Sequence, residues 1–241
     1  MEGKGVIASR VGVLDKAVVI LAFLSEEGPA TLAEVVGGTG LPRPTAHRLL
    51  SALEAHRLVG RNGRRYSLGV RLLGWGSRAM GLDLVEAARP ALVALRDESG
   101  ESTQLYVREG DVRVCVASVE RTGEGLRDTV PVGAVLPLGR GSGGKVLLAW
   151  AEEGGWYSGV EREELDEIRG RGWAESVAER EAGVASVSAP VFGAGGAPRA
   201  VVCASGPVSR LGERPGERLA RPVVAAAREV EAALDSRDRG W

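Results

Sequence analysis

Residues 41–53 read Leu41-Pro42-Arg43-Pro44-Thr45-Ala46-His47-Arg48-Leu49-Leu50-Ser51-Ala52-Leu53, and their spacing decides the N-terminal part of the fold. Ala46, Leu49, Leu50 and Leu53 recur at i, i+3, i+4 and i+7, the stripe of a helix with one buried face. Pro42 and Pro44 are tolerable because first-turn amides have no helical partner. Away from the stripe, Arg43, Thr45, His47, Arg48 and Ser51 can all donate hydrogen bonds to phosphates or to base edges in a major groove.

Upstream, Thr31 with Glu34 three residues later forms a capping-box pattern, which opens a short helix carrying Leu32, Val35 and Val36. Gly37-Gly38-Thr39-Gly40 ends it, so two helices meet across a short glycine-containing turn, the helix-turn-helix arrangement. An earlier helix is expected from Val13, Leu14, Ala17, Leu21 and Leu24, closing before Glu27-Gly28-Pro29. Downstream, Asn62-Gly63 lies between short apolar segments ending at Val59-Gly60 and beginning at Tyr66, a hairpin signal with both central residues at positive φ. Arg61, Arg64 and Arg65 make that hairpin a basic wing.

The chain has 241 residues, and at about 100–200 residues per domain this suggests two domains, or one unusually large one. Its net charge of −1 conceals an asymmetry: residues 1–80 are net +5 and the remainder net −6. Arg43, Arg48, Arg57, Arg61, Arg64, Arg65 and Arg71 stand within 41–71 against one acid, Glu54, a concentration suited to phosphates or to a solvated basic face. No apolar run is long enough for a membrane span and the first residues lead into no signal-peptide core, so a cytoplasmic protein with no membrane partner is expected. Cys115 and Cys203 lack CxxC spacing, which disfavours a disulfide framework or a thiolate metal site. Both histidines, His47 and His56, fall in the first quarter, leaving the rest without a histidine base, a Ser-His-Asp triad or an HExxH site.

The stretch Thr39–Leu50, followed by Tyr66-Ser67-Leu68-Gly69-Val70-Arg71-Leu72-Leu73, resembles the DNA-binding domain of the IclR family of bacterial transcriptional regulators. Val132-Gly133, Pro137-Leu138, Gly144–Ala149, Glu181–Val191 and Ser205-Gly206-Pro207 resemble its effector domain in order and spacing. Within the family, Gly12–Ala17 and Leu126–Gly133 look most like the NdgR-type regulators of actinobacteria, which govern leucine and related amino-acid biosynthesis. The resemblance implies a regulator that is no enzyme, binds double-stranded operator DNA, takes a small carboxylate-bearing effector, self-associates as a dimer or tetramer and needs no cofactor. The alternatives are a ligand-sensing interaction protein with a degenerate winged helix and a P-loop-like nucleotide-binding enzyme.

The expected fold class is α+β: a winged helix-turn-helix over 11–71, linker helices over 72–99 and a GAF-like mixed α/β effector domain over 100–236, between flexible tails at 1–10 and 237–241. Pro90 is expected to bend or start a linker helix. Strands are read at 104–107, 112–116, 173–177, 184–192 and 200–205, and helices at 143–151, 162–171 and 216–235.

Gly139-Arg140-Gly141-Ser142-Gly143-Gly144-Lys145-Val146 fits the G-x-x-x-x-G-K part of a phosphate-binding loop, but Val146 replaces the magnesium-binding Ser/Thr. It also fails the GxSxG nucleophile elbow at Arg140. What remains is a glycine loop opening a helix, suited to a small anion such as a carboxylate or needed only for backbone geometry. The family's effector-lining positions fall on Leu126, Asp128, Ser142, Gly143, Ser176, Val184, Ser186, Cys203 and Ser205. Gly139 and Ser176 depart from a histidine and an acidic residue found in relatives, so the effector expected is not restricted to the glyoxylate and pyruvate class. Cys203, flanked by Val201, Val202 and Ala204, reads as a core residue rather than a redox sensor.

Overall fold

The computed structural model describes residues 11–79, 82–151, 159–193 and 196–238. The chain divides into two compact units, residues 1–79 and 80–241. The expected N-terminal tail lies outside the described residues.

In the first unit, α1 (Gly12–Glu27) leads through β1 (Ala30–Thr31) to α2 (Leu32–Thr39) and α3 (Arg43–Ala55), followed by β2 (Val59–Asn62) and β3 (Arg65–Leu68). The capping box forms: the Thr31 amide donates to Glu34 Oε2 at 2.6 Å and the Glu34 amide to Thr31 Oγ1 at 3.3 Å. That first contact holds the Glu34 carboxyl below its usual range. Ala46, Leu49, Leu50 and Leu53 are buried, and the last three join Ile20, Leu24, Val35, Val59 and Tyr66 in one core. Burying each large aliphatic side chain contributes about 1.5–3 kcal/mol, the main force fixing α3 against its neighbours. Val13 and Leu14, expected on the buried face of the first helix, are exposed; Ile20 and Leu24 carry the burial because the first turn lies outside the core cluster.

The wing departs from expectation by one residue. Asn62 pairs with Arg65 within the strands, so Gly63 and Arg64 form the two-residue loop. Only Gly63 has positive φ, +60°, which accords with a turn demanding glycine at its first central position rather than with Asn-Gly at its centre. β1 adds a third strand, giving the order β1-β3-β2; two residues are too few to announce a strand by alternation.

α4 (Arg71–Ala79) ends the first unit and leaves Leu73 and Trp75 exposed. α5 (Leu82–Ser99) lies inside the second unit rather than linking the two: Leu84, Ala88, Leu92 and Leu95 are buried in its main core. Pro90 is an exposed residue within α5, not its start.

The second unit continues with β4 (Ser102–Glu109), β5 (Val112–Val119), β6 (Val135–Pro137), α6 (Ser142–Ala149), α7 (Arg162–Arg171), β7 (Ala174–Val177), β8 (Val184–Phe192), β9 (Pro198–Pro207), α8 (Val208–Leu211) and α9 (Pro215–Asp238). Its six strands form one sheet, β6-β5-β4-β9-β8-β7, with every neighbouring pair antiparallel. β6 and α8, three and four residues long, are too short for periodicity to reveal. α9 continues to Asp238, so part of the expected C-terminal tail is helical.

Strand alternation divides the sheet into two chemistries. Leu105, Val187, Ala189, Val202 and Ala204 pack with α5 and α9, together with Val223 and Val230. Tyr106, Arg113, Cys115, Ser186, Ser188, Cys203 and Ser205 alternate with that apolar set, and α6 and α7 pack on a separate cluster with Leu138, Ala174 and Val201. No helix among the described residues is long and apolar enough to cross a membrane.

Candidate nucleic-acid interface and ligand pocket

Because the α3 stripe is consumed by the core, its other residues face outward. Arg43, His47, Arg48 and Ser51 are exposed and Thr45 is half-buried. Arg43, Arg48 and Arg64 make no hydrogen bond or ion pair among the described residues. The other wing arginines are partly engaged. Arg61 Nε donates to the Gly63 carbonyl at 3.0 Å, and its guanidinium lies 5.3 Å from the Tyr66 ring centre. Arg65 Nη1 donates to the Pro29 carbonyl at 2.6 Å and lies 3.7 Å from Glu34. The structure thus presents all eight sequence-selected basic and polar residues on α3 and the wing, with three arginines wholly uncommitted.

On the polar side of the large sheet is a small pocket, partly open to solvent. Of the expected residues, Asp128, Gly143, Ser176, Val184, Ser186, Cys203 and Ser205 line it. Ser142 lies behind that lining, fully buried, bonded to Ser186 Oγ at 2.7 Å and Ser188 Oγ at 2.8 Å. Ser176 extends the hydroxyl chain, 3.0 Å from Ser186. Leu126 does not line the pocket: its side chain is exposed and its carbonyl accepts from Arg210 Nη1 at 2.8 Å. In this loop it is Asp128, two residues on, that turns inward.

Four lining residues escaped the sequence reading: Tyr106, Arg113, Gly141 and Arg180. Arg180, between β7 and β8, donates from Nη2 to both oxygens of Asp128 at 2.7 Å, tying the 178–183 loop to the 120–134 loop. Burial works against the Arg180 charge, but Asp128 outweighs it and raises the pKa. Arg113 is more unusual. It is 3% exposed, its guanidinium carbon lies 5.4 Å from the Tyr106 ring centre, and Nη1 donates to the Pro137 and Arg140 carbonyls at 2.5 and 2.7 Å. Burial lowers its pKa from the usual arginine range. A signal was present: Cys115, two residues along β5 and on the same face, is apolar, so Arg113 could not be assigned to a solvent face by alternation alone.

The Gly-rich loop is not poised for phosphate chemistry. Lys145 is buried and donates to Glu164 Oε1 at 2.7 Å and Glu179 Oε1 at 2.5 Å. Burial acts to lower the Lys145 pKa, but the two carboxylates prevail and raise it. Glu179 Oε2 also accepts from the Gly141 amide at 3.1 Å, so the lysine fastens the loop from behind. Cys115 and Cys203 are buried thiols; burial pushes Cys115 up to about 12 and raises Cys203 as well, disfavouring the thiolate a redox sensor requires.

A winged helix-turn-helix with an uncommitted basic front, carried with a separate antiparallel-sheet domain, defines a DNA-binding transcriptional regulator rather than an enzyme. The chain belongs to the IclR family: residues 13–63 match the model of the IclR helix-turn-helix domain, and residues 77–157 and 161–232 that of the bacterial transcriptional regulator IclR C-terminal domain. It is 30% identical to the uncharacterized HTH-type transcriptional regulator RhmR of Escherichia coli K12, over 97% of this chain and 95% of that protein. It is 33% identical to the glycerol operon regulatory protein of Streptomyces griseus, over 97% and 98%. Among solved structures, an IclR transcriptional regulator from Alicyclobacillus acidocaldarius matches with a TM-score of 0.72 at 27% identity, covering 93% of this chain and 99% of that one.

Proposed function

We propose that this regulator grips double-stranded operator DNA through Arg43, Thr45, His47, Arg48 and Ser51 of α3 and through Arg61, Arg64 and Arg65 of the wing. Two copies, alone or within a tetramer, would read the halves of a pseudo-palindromic operator. The observation that carries this reading is the uncommitted state, among the described residues, of Arg43 and Arg48 on the outward side of α3 and of Arg64 in the wing. Arginines already paired with acids would gain little from phosphate; these three have no partner among the described residues to give up.

The pocket in the second unit takes a small carboxylate-bearing metabolite, an amino acid, keto acid or related compound, whose binding alters operator affinity. Support comes from the serine hydroxyls, the glycine loop at the N-terminus of α6 and the aliphatic Val184. Such an effector changes DNA affinity only by its differential affinity for two arrangements of the protein, typically about 1–3 kcal/mol of coupling. Amino-acid biosynthesis genes are the proposed targets, on the likeness of residues 12–17 and 126–133 to regulators of that pathway. The cytoplasm is the compartment where such a regulator would meet its operator.

The test is a mobility-shift titration on the DNA upstream of the chain's own gene. Arg48→Ala is expected to lower specific affinity by about 1–3 kcal/mol while leaving binding to unrelated DNA largely intact. Unchanged specific affinity would remove α3 from the recognition role. Sequencing the genomic fragments retained by the purified protein would score the proposed target genes directly.

A further inference from the structure

Arg113 makes an uneven use of its donors. Nη1 is occupied twice, by the Pro137 and Arg140 carbonyls. Nε is buried without any hydrogen-bond partner, and no hydrogen bond is made by Nη2 among the described residues. Nε and Nη2 form the side-on edge of a guanidinium, the two parallel N–H groups that a carboxylate grips in a bidentate pair. An unpaired buried donor costs free energy, so it either marks a ligand position or should have been satisfied by the fold.

The ground along that edge is kept clear by glycine. A Cβ on Gly141 would come within 3.0 Å of Arg113 Nη2, and one on Gly143 within 3.6 Å of Nε. Both glycines line the pocket and open α6, whose N-terminus adds a partial positive charge on the same side. The nearby carboxylates are engaged elsewhere: Asp128 holds Arg180, and Glu179 holds Lys145 and the Gly141 amide. The lining itself contains two guanidiniums and one carboxylate.

We infer that the Nε/Nη2 edge of Arg113 is the seat of the effector's carboxylate, facing Gly141 and Gly143, so that Arg113 is the residue that selects an anionic effector over a neutral one of the same shape. This rests on the effector reading above and adds to it the atom pair and the charge selection. The remaining body of the ligand then extends toward Val184 and the Ser176, Ser186 and Ser205 hydroxyls, with the Arg180–Asp128 pair alongside.

The experiment measures binding of acetate, pyruvate, isobutyrate and 2-oxoisovalerate, each against its neutral amide, by calorimetry and thermal shift on the full chain. At least one carboxylate should bind saturably while its amide does not. Arg113→Gln should weaken that carboxylate by about tenfold or more, as expected for loss of a charged bidentate contact, and Arg113→Lys should recover only part because it keeps charge without the fork. Gly143→Ala, whose added methyl meets only ordinary contact distances of 3.5–3.6 Å, should weaken binding without lowering the unfolding midpoint of the free protein, and it decides the matter where Arg113→Gln does not fold. Equal binding of one carboxylate by wild type, Arg113→Gln and Gly143→Ala would overturn the seat yet leave a carboxylate effector standing. Equal binding of acids and amides, or saturable binding of neither, would overturn both. Operator affinity without ligand, read by mobility shift, is independent of either result.

Discussion

Arg64 and Arg65 are neighbours in the wing with the same side chain, yet the structure gives them different electrostatic roles. Arg64 has no partner among the described residues, whereas Arg65 already donates to the Pro29 carbonyl and lies 3.7 Å from Glu34. Each phosphate neutralised on duplex DNA contributes about −0.9 to the slope of log affinity against log salt. Raising salt from about 50 to 200 mM therefore weakens binding by roughly 3.5-fold per contact. Arg64→Ala should remove one such contact per DNA-bound copy, lowering affinity for every sequence at low salt and flattening the slope by about 0.9 for each copy engaged. Arg65→Ala should flatten it by clearly less, because part of that charge is spent on Glu34. Its larger effect should be on the first unit's unfolding, through loss of the β3 tie to Pro29. Mobility-shift titrations at four or more salt concentrations, on operator and unrelated DNA, measure both slopes. Equal flattening by the two variants would refute the claim that partner engagement in the free protein sets each arginine's contribution.

Three further outcomes follow from the packing. Thr31→Ala deletes the hydroxyl of the α2 capping box and should cost about 1 kcal/mol in urea unfolding, with the m-value unchanged. Arg210→Ala strands Glu101, which is 1% exposed and bound at 2.6 and 2.8 Å by that guanidinium, so a loss of about 3–5 kcal/mol is expected; the double change Glu101→Leu/Arg210→Met should cost less than Arg210→Ala alone. The Cys115 thiol, pushed up to about 12 by burial, keeps its proton in the folded state after the unfolded chain has released its own. Its contribution is thus fully present below the unfolded thiol value near 8.5 and lost as pH rises toward 12, at up to about 1.4 kcal/mol per pH unit. Cys115→Ala should show a shallower alkaline loss of stability than wild type, and thiol reagents at pH 8 should label neither cysteine until the protein unfolds.

Periodicity exposed those parts of the fold whose pattern and environment vary together. The α3 stripe at Ala46, Leu49, Leu50 and Leu53 could only be a buried helix face, and the strand read at 184–192 coincides with β8. Where the same pattern serves two environments, it misled or stayed silent. The apolar face of α5 announces that something covers it but not which unit, and so a core helix reads as a linker. Asn62-Gly63 marks a tight turn, while the register Asn62↔Arg65, set by β1 and β2 pairing on either side of β3, moves the turn one residue on. The pocket is the sharpest instance. Arg113 alternates with Val112 and Val114, and although apolar Cys115 on its own face argues against a plain solvent side, alternation records two faces without recording what lies over each. The glycines that open α6 are brought beside β5 from some thirty residues along the chain to face that arginine's outer edge, and no local window contains both halves. A residue's role here is therefore set by the long-range pairing of segments, which is why seven of the nine transferred pocket positions line the cavity while the buried cation among them went unread.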